Sequence, residues 1–304
     1  MPEGFRDSAD YRCGFVAVVG RPNVGKSTLI NHYVGSKVSI VSPRPQTTRH
    51  RILGVATADD AQLVFIDTPG LHLGQKKAIN RMMNRAALSA LGDADAILWL
   101  VEAGQWTASD ENVLARLKDS TVPVLCAINK VDLMADKQQL LPFIESMGKR
   151  RQLHAIVPVS ARTGTQTDEL RESLLALMPL SPAMFPDEML TDRGDGFRFA
   201  EIVREKLTLR LRQELPYGLT VQTERIERDG ERLVVHCTIF VERDSQKGIV
   251  VGKGGRQLRD VGTAARRDMI RVVDRPVHLE LWVKVRDNWA DSEQELQRLG
   301  YGDD

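Results

Sequence analysis

The first half of the chain alternates short apolar runs with amphipathic stretches. Phe15–Val19, Leu63–Ile66, Ile97–Val101, Val122–Ile128 and Ile156–Val159 are continuous apolar segments of buried-strand length. Between them, Ser27–Val34, Ile79–Ala90, Asp110–Lys118, Lys137–Met147 and Thr167–Leu177 space their apolar residues as helices do. This alternation predicts a doubly wound α/β domain on a mostly parallel sheet, with an active site at the carboxyl ends of the strands. The rhythm breaks at Met178–Pro186, where prolines at 179, 182 and 186 stop helix propagation and restrict the residues before them. Beyond the break the pattern reads α-β-β-α-α-β: Phe197–Glu214, Leu219–Ile226, Leu233–Glu242, Asp244–Val251, Arg256–Val272 and Pro276–Val285, with Asp229-Gly230 as a hairpin signal. The expected division is a first domain over 1–180, a linker over 181–195, a second domain over 196–287 and a solvated acidic tail over 288–304. Phe240 and Trp282, flanked by apolar neighbours, are expected in the second core.

Composition narrows this little. A length of 304 residues fits two domains, and 42% apolar with 27% charged residues is ordinary for a soluble globular protein. The formal net charge of +1 points to no partner class by itself. Cys13, Cys126 and Cys237 follow no zinc spacing and are expected as reduced thiols of a cytoplasmic protein. Met1–Arg12 is polar and carries no targeting signal. The apolar runs are far shorter than the roughly 20 residues of a membrane span, which leaves peripheral contact with the inner membrane open.

The chemistry begins at "GRPNVGKS", where Gly20, Gly25, Lys26 and Ser27 stand between a strand and a helix. Glycines at this spacing let backbone N–H groups approach phosphates, the lysine reaches the β/γ-phosphates and the serine hydroxyl can hold Mg²⁺. The helix start adds its positive dipole end. One crossover later "DTPG" puts Asp67 at a strand end, where a magnesium-side carboxylate belongs, with Gly70 free to turn a backbone N–H toward a γ-phosphate. "NKVD" then sets Asn129, Lys130, Val131 and Asp132 after another strand. A carboxylate there accepts from guanine N1–H and N2–H₂; adenine would leave it unpaired. Asn129 is expected to bridge the base edge and the phosphate loop, and the Lys130 stem to cover the ring. Ser160-Ala161 follows the next strand, where a backbone N–H can reach the guanine oxygen.

In the second domain, Gly252-Lys253-Gly254-Gly255 joins two helical segments. Such a Gly-x-x-Gly loop lets a single-stranded RNA backbone approach closely, as in KH domains. From Arg243 to Arg271 there are eight basic and three acidic residues, a local excess suited to phosphate. Ile249, Val250 and Val251 flank the loop and could serve either the groove or the packing.

These motifs, together with "SPRPQTTRHRILG", closely resemble the Era-like family of bacterial ribosome-assembly GTPases over essentially the whole chain. The resemblance implies a phosphate-loop GTPase domain followed by a type II KH domain. It implies nucleotide contacts from Gly20, Arg21, Pro22, Asn23, Val24, Gly25, Lys26, Ser27 and Thr28, from Asp67, Thr68, Pro69, Gly70 and Leu71, from Asn129 to Asp132, and from Ser160 and Ala161. A switch is implied over Gln46, Thr47, Thr48, Arg49 and His50, with Thr48 favoured over Thr47 as the threonine that orders around Mg²⁺. The implied Mg²⁺ ligands are Ser27, Thr48 and Asp67. The implied catalytic set is Lys26, Asn23, Thr48 and Gly70, and RNA contacts fall to Ile249, Gly252, Lys253, Gly254, Gly255, Arg256 and Arg259. Leu71 stands where Ras-like enzymes carry a water-orienting glutamine, so slow intrinsic hydrolysis is expected. Asn23 occupies the position at which related GTPases hold K⁺, and His72 is expected to be a bystander.

The implied role is a monomeric, GTP/GDP-cycling protein that binds 16S rRNA near its 3′ end and assists 30S subunit assembly. A membrane-associated signalling switch in cell-cycle control is the alternative, disfavoured by the lack of a lipidation motif or amphipathic anchor. A tRNA-modification GTPase would need a cofactor domain for which no residues remain.

Overall fold

In the computed structural model the described residues are 10–44, 47–70, 77–211 and 218–301. The first domain runs β1 (Arg12–Gly20), α1 (Lys26–Val34), β2 (Ile52–Thr57), β3 (Ala61–Asp67), α2 (Ala78–Gly92), β4 (Ala96–Glu102), α3 (Ala108–Leu117), β5 (Val124–Asn129), α4 (Leu140–Arg150), β6 (Ala155–Pro158) and α5 (Thr167–Leu175). Its sheet has the order β2-β3-β1-β4-β5-β6. All neighbours are parallel except β2, which runs antiparallel to β3. The central strands are apolar on both faces because both are covered. α1 and α5 close one side through Leu29, Ile30, Leu170 and Leu174, against Val16, Val18 and Leu98. α2, α3 and α4 close the other through Ala87, Val113, Leu117 and Met147, against Val19, Ile97 and Trp99.

The periodicity overlooks β2. Gly54 interrupts its apolar pattern, and the structure shows why glycine stands there: a Cβ would lie 2.6 Å from Ile30 Cγ2 on α1. The proline-rich linker is not loose either. Gln62 Oε1 accepts from the backbone N–H of Met184 and Phe185, both at 2.9 Å, and Val55 N–H donates to Leu190 O at 2.9 Å.

The second domain runs α6 (Asp195–Arg210), β7 (Leu219–Asp229), β8 (Arg232–Val241), α7 (Asp244–Val251), α8 (Arg256–Val273) and β9 (Val277–Val285). β7 and β8 pair antiparallel, β8 and β9 parallel, and the helices cover one face of this three-stranded sheet. Expected helix residues 212–214 lie outside the described set. Trp282 corrects its expectation: it is 44% exposed, on the sheet face away from the helices, and stacks on His236 at 5.6 Å. Phe240 is buried, but on that same outer face and outside the second core, under the Arg286 guanidinium at 5.2 Å.

The tail also differs from its expectation. After Asp287 the chain forms a turn at Trp289–Asp291 and α9 (Glu293–Arg298). Trp289, Leu296 and Tyr301 are buried against Ala78, Ile79 and Met83 of α2. Acidic composition concealed three well-spaced apolar anchors. Among the described residues, no helix is long and apolar enough to cross a membrane.

Candidate active site

The phosphate loop connects β1 to α1 and is shaped by close backbone approach. At Gly25, φ is +108° and a Cβ would sit 2.1 Å from Asn129 Nδ2, so no side chain fits. Lys26 is buried, its Nζ donating to Gly20 O at 3.0 Å and Arg21 O at 3.1 Å. Burial lowers its pKa to about 8, a shift opposed by the nearby Asp67 carboxylate. A cavity of about 340 Å³ opens over this loop, lined by Pro22, Asn23, Gly25 to Thr28, Ile40 to Pro43, Thr47, Thr48, Gly70 and Lys130. Arg21 turns away to Glu102 (2.6 Å) and Asp110 (3.3 Å), and Val24 is fully buried.

On one side of the cavity three oxygens gather. Ser27 Oγ donates to Asp67 Oδ2 at 2.8 Å, and Thr48 Oγ1 lies 3.1 Å from Ser27 Oγ and 3.5 Å from Asp67 Oδ2. Asp67 is fully buried, and burial raises its pKa. Its Oδ1 has no hydrogen-bond partner of normal geometry among the described residues. An all-oxygen donor set with an unsatisfied carboxylate oxygen fits a hard divalent cation that keeps substrate phosphate in its shell. Thr47 faces elsewhere, its Oγ1 bonded to Ser42 Oγ and Arg44 O at 2.7 Å each. Thr68 Oγ1 donates to Val18 O at 2.8 Å, and Pro69 and Gly70 are buried beside it. Gln46, Leu71 and His72 lie outside the described residues.

At the end of β5, Asn129 makes its expected contact with the phosphate loop. Its Nδ2 donates to Val24 O at 2.8 Å and its Oδ1 accepts from Ala161 N–H at 2.9 Å. It ties the phosphate loop to the Ser160-Ala161 loop, and its amide keeps a second N–H. Lys130 has φ +67° and donates to Glu102 at 2.8 Å, with Val131 opening a short 3-10 turn. Asp132 Oδ1 accepts from Ser160 Oγ at 2.6 Å and Oδ2 from Arg162 at 2.5 Å. The Ser160 hydrogen bond, then Arg162, hold its carboxyl below the usual range.

The expected switch residues Arg49 and His50 are interdomain contacts. Arg49 donates to Leu219 O at 2.8 Å, and the His50 ring stacks on Tyr301 at 4.3 Å. Arg204 of α6 donates to Thr47 O, and Glu205 Oε1 accepts from Val41 N–H at 3.0 Å.

In the second domain the glycine loop lies between α7 and α8, with positive φ at Gly252, Gly254 and Gly255. A Cβ on Gly252 would meet Gln257 Cβ at 2.7 Å. Lys253, Arg256 and Arg259 are exposed, with no ion pair among the described residues. Ile249 is 54% exposed whereas Val250 is fully buried, which separates groove from core. A groove of about 430 Å³ runs beside the loop between Leu258, Arg259 and Arg266 of α8 and His278, Leu279 and Leu281 of β9.

Two family models match: "50S ribosome-binding GTPase" over residues 15–130 and "KH domain" over residues 214–290. GTPase Era of Yersinia pestis (strain Pestoides F) is 48% identical over 295 residues, 96% of this chain and 97% of its own. GTPase Era of Yersinia pseudotuberculosis (serotype O:1b, strain IP 31758) gives the same figures. The chain belongs to the Era family of GTPases. Like its family it hydrolyses GTP. Two solved Era structures superpose with a TM-score of 0.91. A point variant of Aquifex aeolicus Era bound to GDP·AlF4⁻ is 38% identical, covering 95% of this chain and 99% of that one. Era in complex with MgGDPNP and nucleotides 1506–1542 of 16S ribosomal RNA is 37% identical, covering 96% and 99%.

Against this Era framework, sequence reasoning missed Glu102, Arg162, Arg204, Glu205 and Tyr301 in the first site, and Arg266 and His278 in the groove. Glu102 ends β4 at the same level as Asn129 on β5, and Arg162 directly follows Ser160-Ala161; both positions were within reach of the strand-end rule. Arg204, Glu205 and Tyr301 carried no such signal, because they reach the site from the other domain.

Proposed function

We propose that the protein is a GTP-driven RNA-binding switch that engages small-subunit (16S) rRNA near its 3′ end and assists assembly of the 30S subunit. The supporting observation is that Val41 and Thr47, two residues that line the nucleotide cavity, are both held through their main chain by α6 of the KH domain. GTP sits on the phosphate loop, with Lys26 on the β/γ-phosphates and Asp132 reading guanine once Arg162 swings aside. Ser27, Asp67 and Thr48 hold Mg²⁺. When bound, Mg²⁺ neutralises charge that develops on the transferring phosphoryl group. Gly70 N–H faces the γ-phosphate.

Asn23, at φ +62°, gives its amide nitrogen to Pro43 O at 2.7 Å, which leaves its carbonyl oxygen for a monovalent cation such as K⁺. That cation adds positive charge where Leu71 offers no polar group, so intrinsic turnover is slow and K⁺-dependent. RNA lies along the Gly252–Gly255 loop, held by Lys253, Arg256 and Arg259, with Ile249 against a base. In this reading the G domain is 1–180, the linker 181–195, the KH domain 196–287 and the tail 288–304, which docks on α2 through Trp289, Leu296 and Tyr301. The protein acts as a cytoplasmic monomer.

The test is nucleotide-dependent crosslinking of the full chain to ribosomal RNA, with the attached fragment sequenced. Crosslinks concentrated at the 3′ end of 16S rRNA with a GTP analogue support the reading; crosslinks spread evenly over rRNA refute it.

A further inference from the structure

The wall of the nucleotide cavity is held from behind by a side chain of the other domain. Glu205, on α6, is 3% exposed. Its two oxygens have different tasks. Oε1 accepts from the backbone N–H of Val41 at 3.0 Å, and Val41 lines the cavity. Oε2 accepts from Lys37 Nζ at 2.6 Å and Lys206 Nζ at 2.7 Å. Both ammonium groups also reach Asp268 Oδ2 on α8, Lys37 at 3.1 Å. Lys37 lies just beyond the end of α1, the helix that begins at the phosphate loop. α8 begins at the glycine loop. One carboxylate therefore joins the switch backbone to the two helices whose N-termini face the two phosphate ligands.

The arrangement is more than a surface salt bridge. Glu205 is buried, and Lys206, Asp268 and Lys37 are 13%, 17% and 29% exposed, so screening by water is limited. Removing one charge from such a network leaves its direct partners partly uncompensated, which weakens the hold between the elements they join. Helices are stiff over this length, so a displacement of Lys37 or Val41 reaches α8 as a rigid-body tilt.

We propose that Glu205 is a positioning residue of the GTPase site, and that the Lys37–Glu205–Lys206–Asp268 network carries the coupling between nucleotide and RNA. The second clause rests on the RNA-switch reading given above. Glu205 holds Val41, and with it the cavity wall of Ile40 to Pro43, in the geometry that hydrolysis requires. Asp268 relays the state of that wall to the helix behind the glycine loop.

The test uses the full-length chain and three variants. Glu205→Ala removes both tasks. Glu205→Gln keeps an oxygen for Val41 N–H but removes the charge facing the two lysines. Asp268→Asn removes the relay charge and touches nothing in the nucleotide cavity. Two quantities are read: steady-state GTP hydrolysis, and the ratio of affinities for a 16S 3′-terminal RNA in the presence of a non-hydrolysable GTP analogue and of GDP. Glu205→Ala lowers kcat about tenfold, with KM little changed, because a small misplacement of a positioned group is costly. Glu205→Gln restores at least half of that loss, and Asp268→Asn hydrolyses at the native rate. The native affinity ratio, about five or more for a coupled system, collapses toward one in Glu205→Gln and Asp268→Asn while their affinity in GDP holds. Native kcat in Glu205→Ala, or a native ratio in both charge variants, overturns the proposal. Should Glu205→Ala fail to fold, the ratio in the other two decides. A ratio of one in the unsubstituted protein overturns the switch reading itself, and leaves the kcat comparison to judge Glu205 alone.

Discussion

Arg204, buried in the KH domain, donates a hydrogen bond to the backbone carbonyl of Thr47 in the GTPase domain. The next residue, Thr48, turns its hydroxyl to within 3.1 Å of Ser27 Oγ. A main-chain hold from one domain thus orients a hydroxyl beside Ser27 and Asp67 in the other. Arg204 is itself fixed by a bidentate pair with Glu201, both contacts at 2.6 Å, a geometry that favours a single orientation.

This geometry distinguishes the two threonines. Thr48→Ala lowers Mg²⁺-dependent hydrolysis by about 10–100-fold, the usual range when a metal-site contact is lost. Thr47→Ala leaves it near native, because Arg204 bonds to the Thr47 main chain. Hydrolysis rates over a Mg²⁺ titration check both; equal losses would remove Thr48 from the site.

Lys26 gives a pH dependence with a defined sign. Burial lowers its pKa to about 8. Bound phosphate stabilises the ammonium and raises that value, so nucleotide binding takes up a proton above pH 8. Affinity for GDP is therefore flat below about pH 8 and falls above it, by up to about tenfold per pH unit. Calorimetric Kd values from pH 7 to 9 in buffers of different ionisation enthalpy measure it, with Lys26→Arg as the flat control.

In the proposed reading, Asp132 sets the base. Asp132→Asn replaces an acceptor pair by an amide and weakens GTP binding by about 10⁴-fold, the scale on which sites reject analogues lacking a required partner. Xanthosine triphosphate, with a carbonyl in place of the N2 amine, gains affinity. Competition against a fluorescent nucleotide reads both.

Much of this was legible in the sequence, for identifiable reasons. β1, β3 and β5 are buried on both faces, so they appear as apolar runs, and each delivers its motif at its carboxyl end. β2 was not legible because Gly54 exists to admit Ile30 and breaks the pattern in doing so. Asn129 was recognised as a link to the phosphate loop, but its second partner, Ala161, was not legible because it depends on how two loops converge. The grip of Arg204 and Glu205 on the switch joins residues 157 and 164 positions apart, which no local pattern encodes.

The tail makes a stability prediction. Trp289 is fully buried and its indole N–H donates to Gly218 O at 3.3 Å. Trp289→Ala destabilises the protein by about 3–5 kcal/mol, as for other large-to-small aromatic changes in cores. Urea unfolding monitored by circular dichroism measures it. A solvated tail would show no change.

In the RNA groove, charge and shape contribute separately. Arg256→Ala weakens binding across RNA sequences and lowers the slope of log affinity against log salt by about one. Gly252→Ala forces a Cβ onto Gln257 at a positive φ and disrupts the loop itself. Salt titrations of both variants separate the effects: a changed slope for Arg256→Ala, a loss at every salt concentration for Gly252→Ala.

The central claim is that nucleotide and RNA are sensed through one another. Its most direct test is the affinity of the full chain for an RNA ending in the 16S 3′ sequence, measured at fixed salt with a GTP analogue and with GDP. The account predicts tighter binding with the analogue, by about 5–150-fold, and an equal gain in analogue affinity when the RNA is present. The same affinity in both nucleotide states would contradict it.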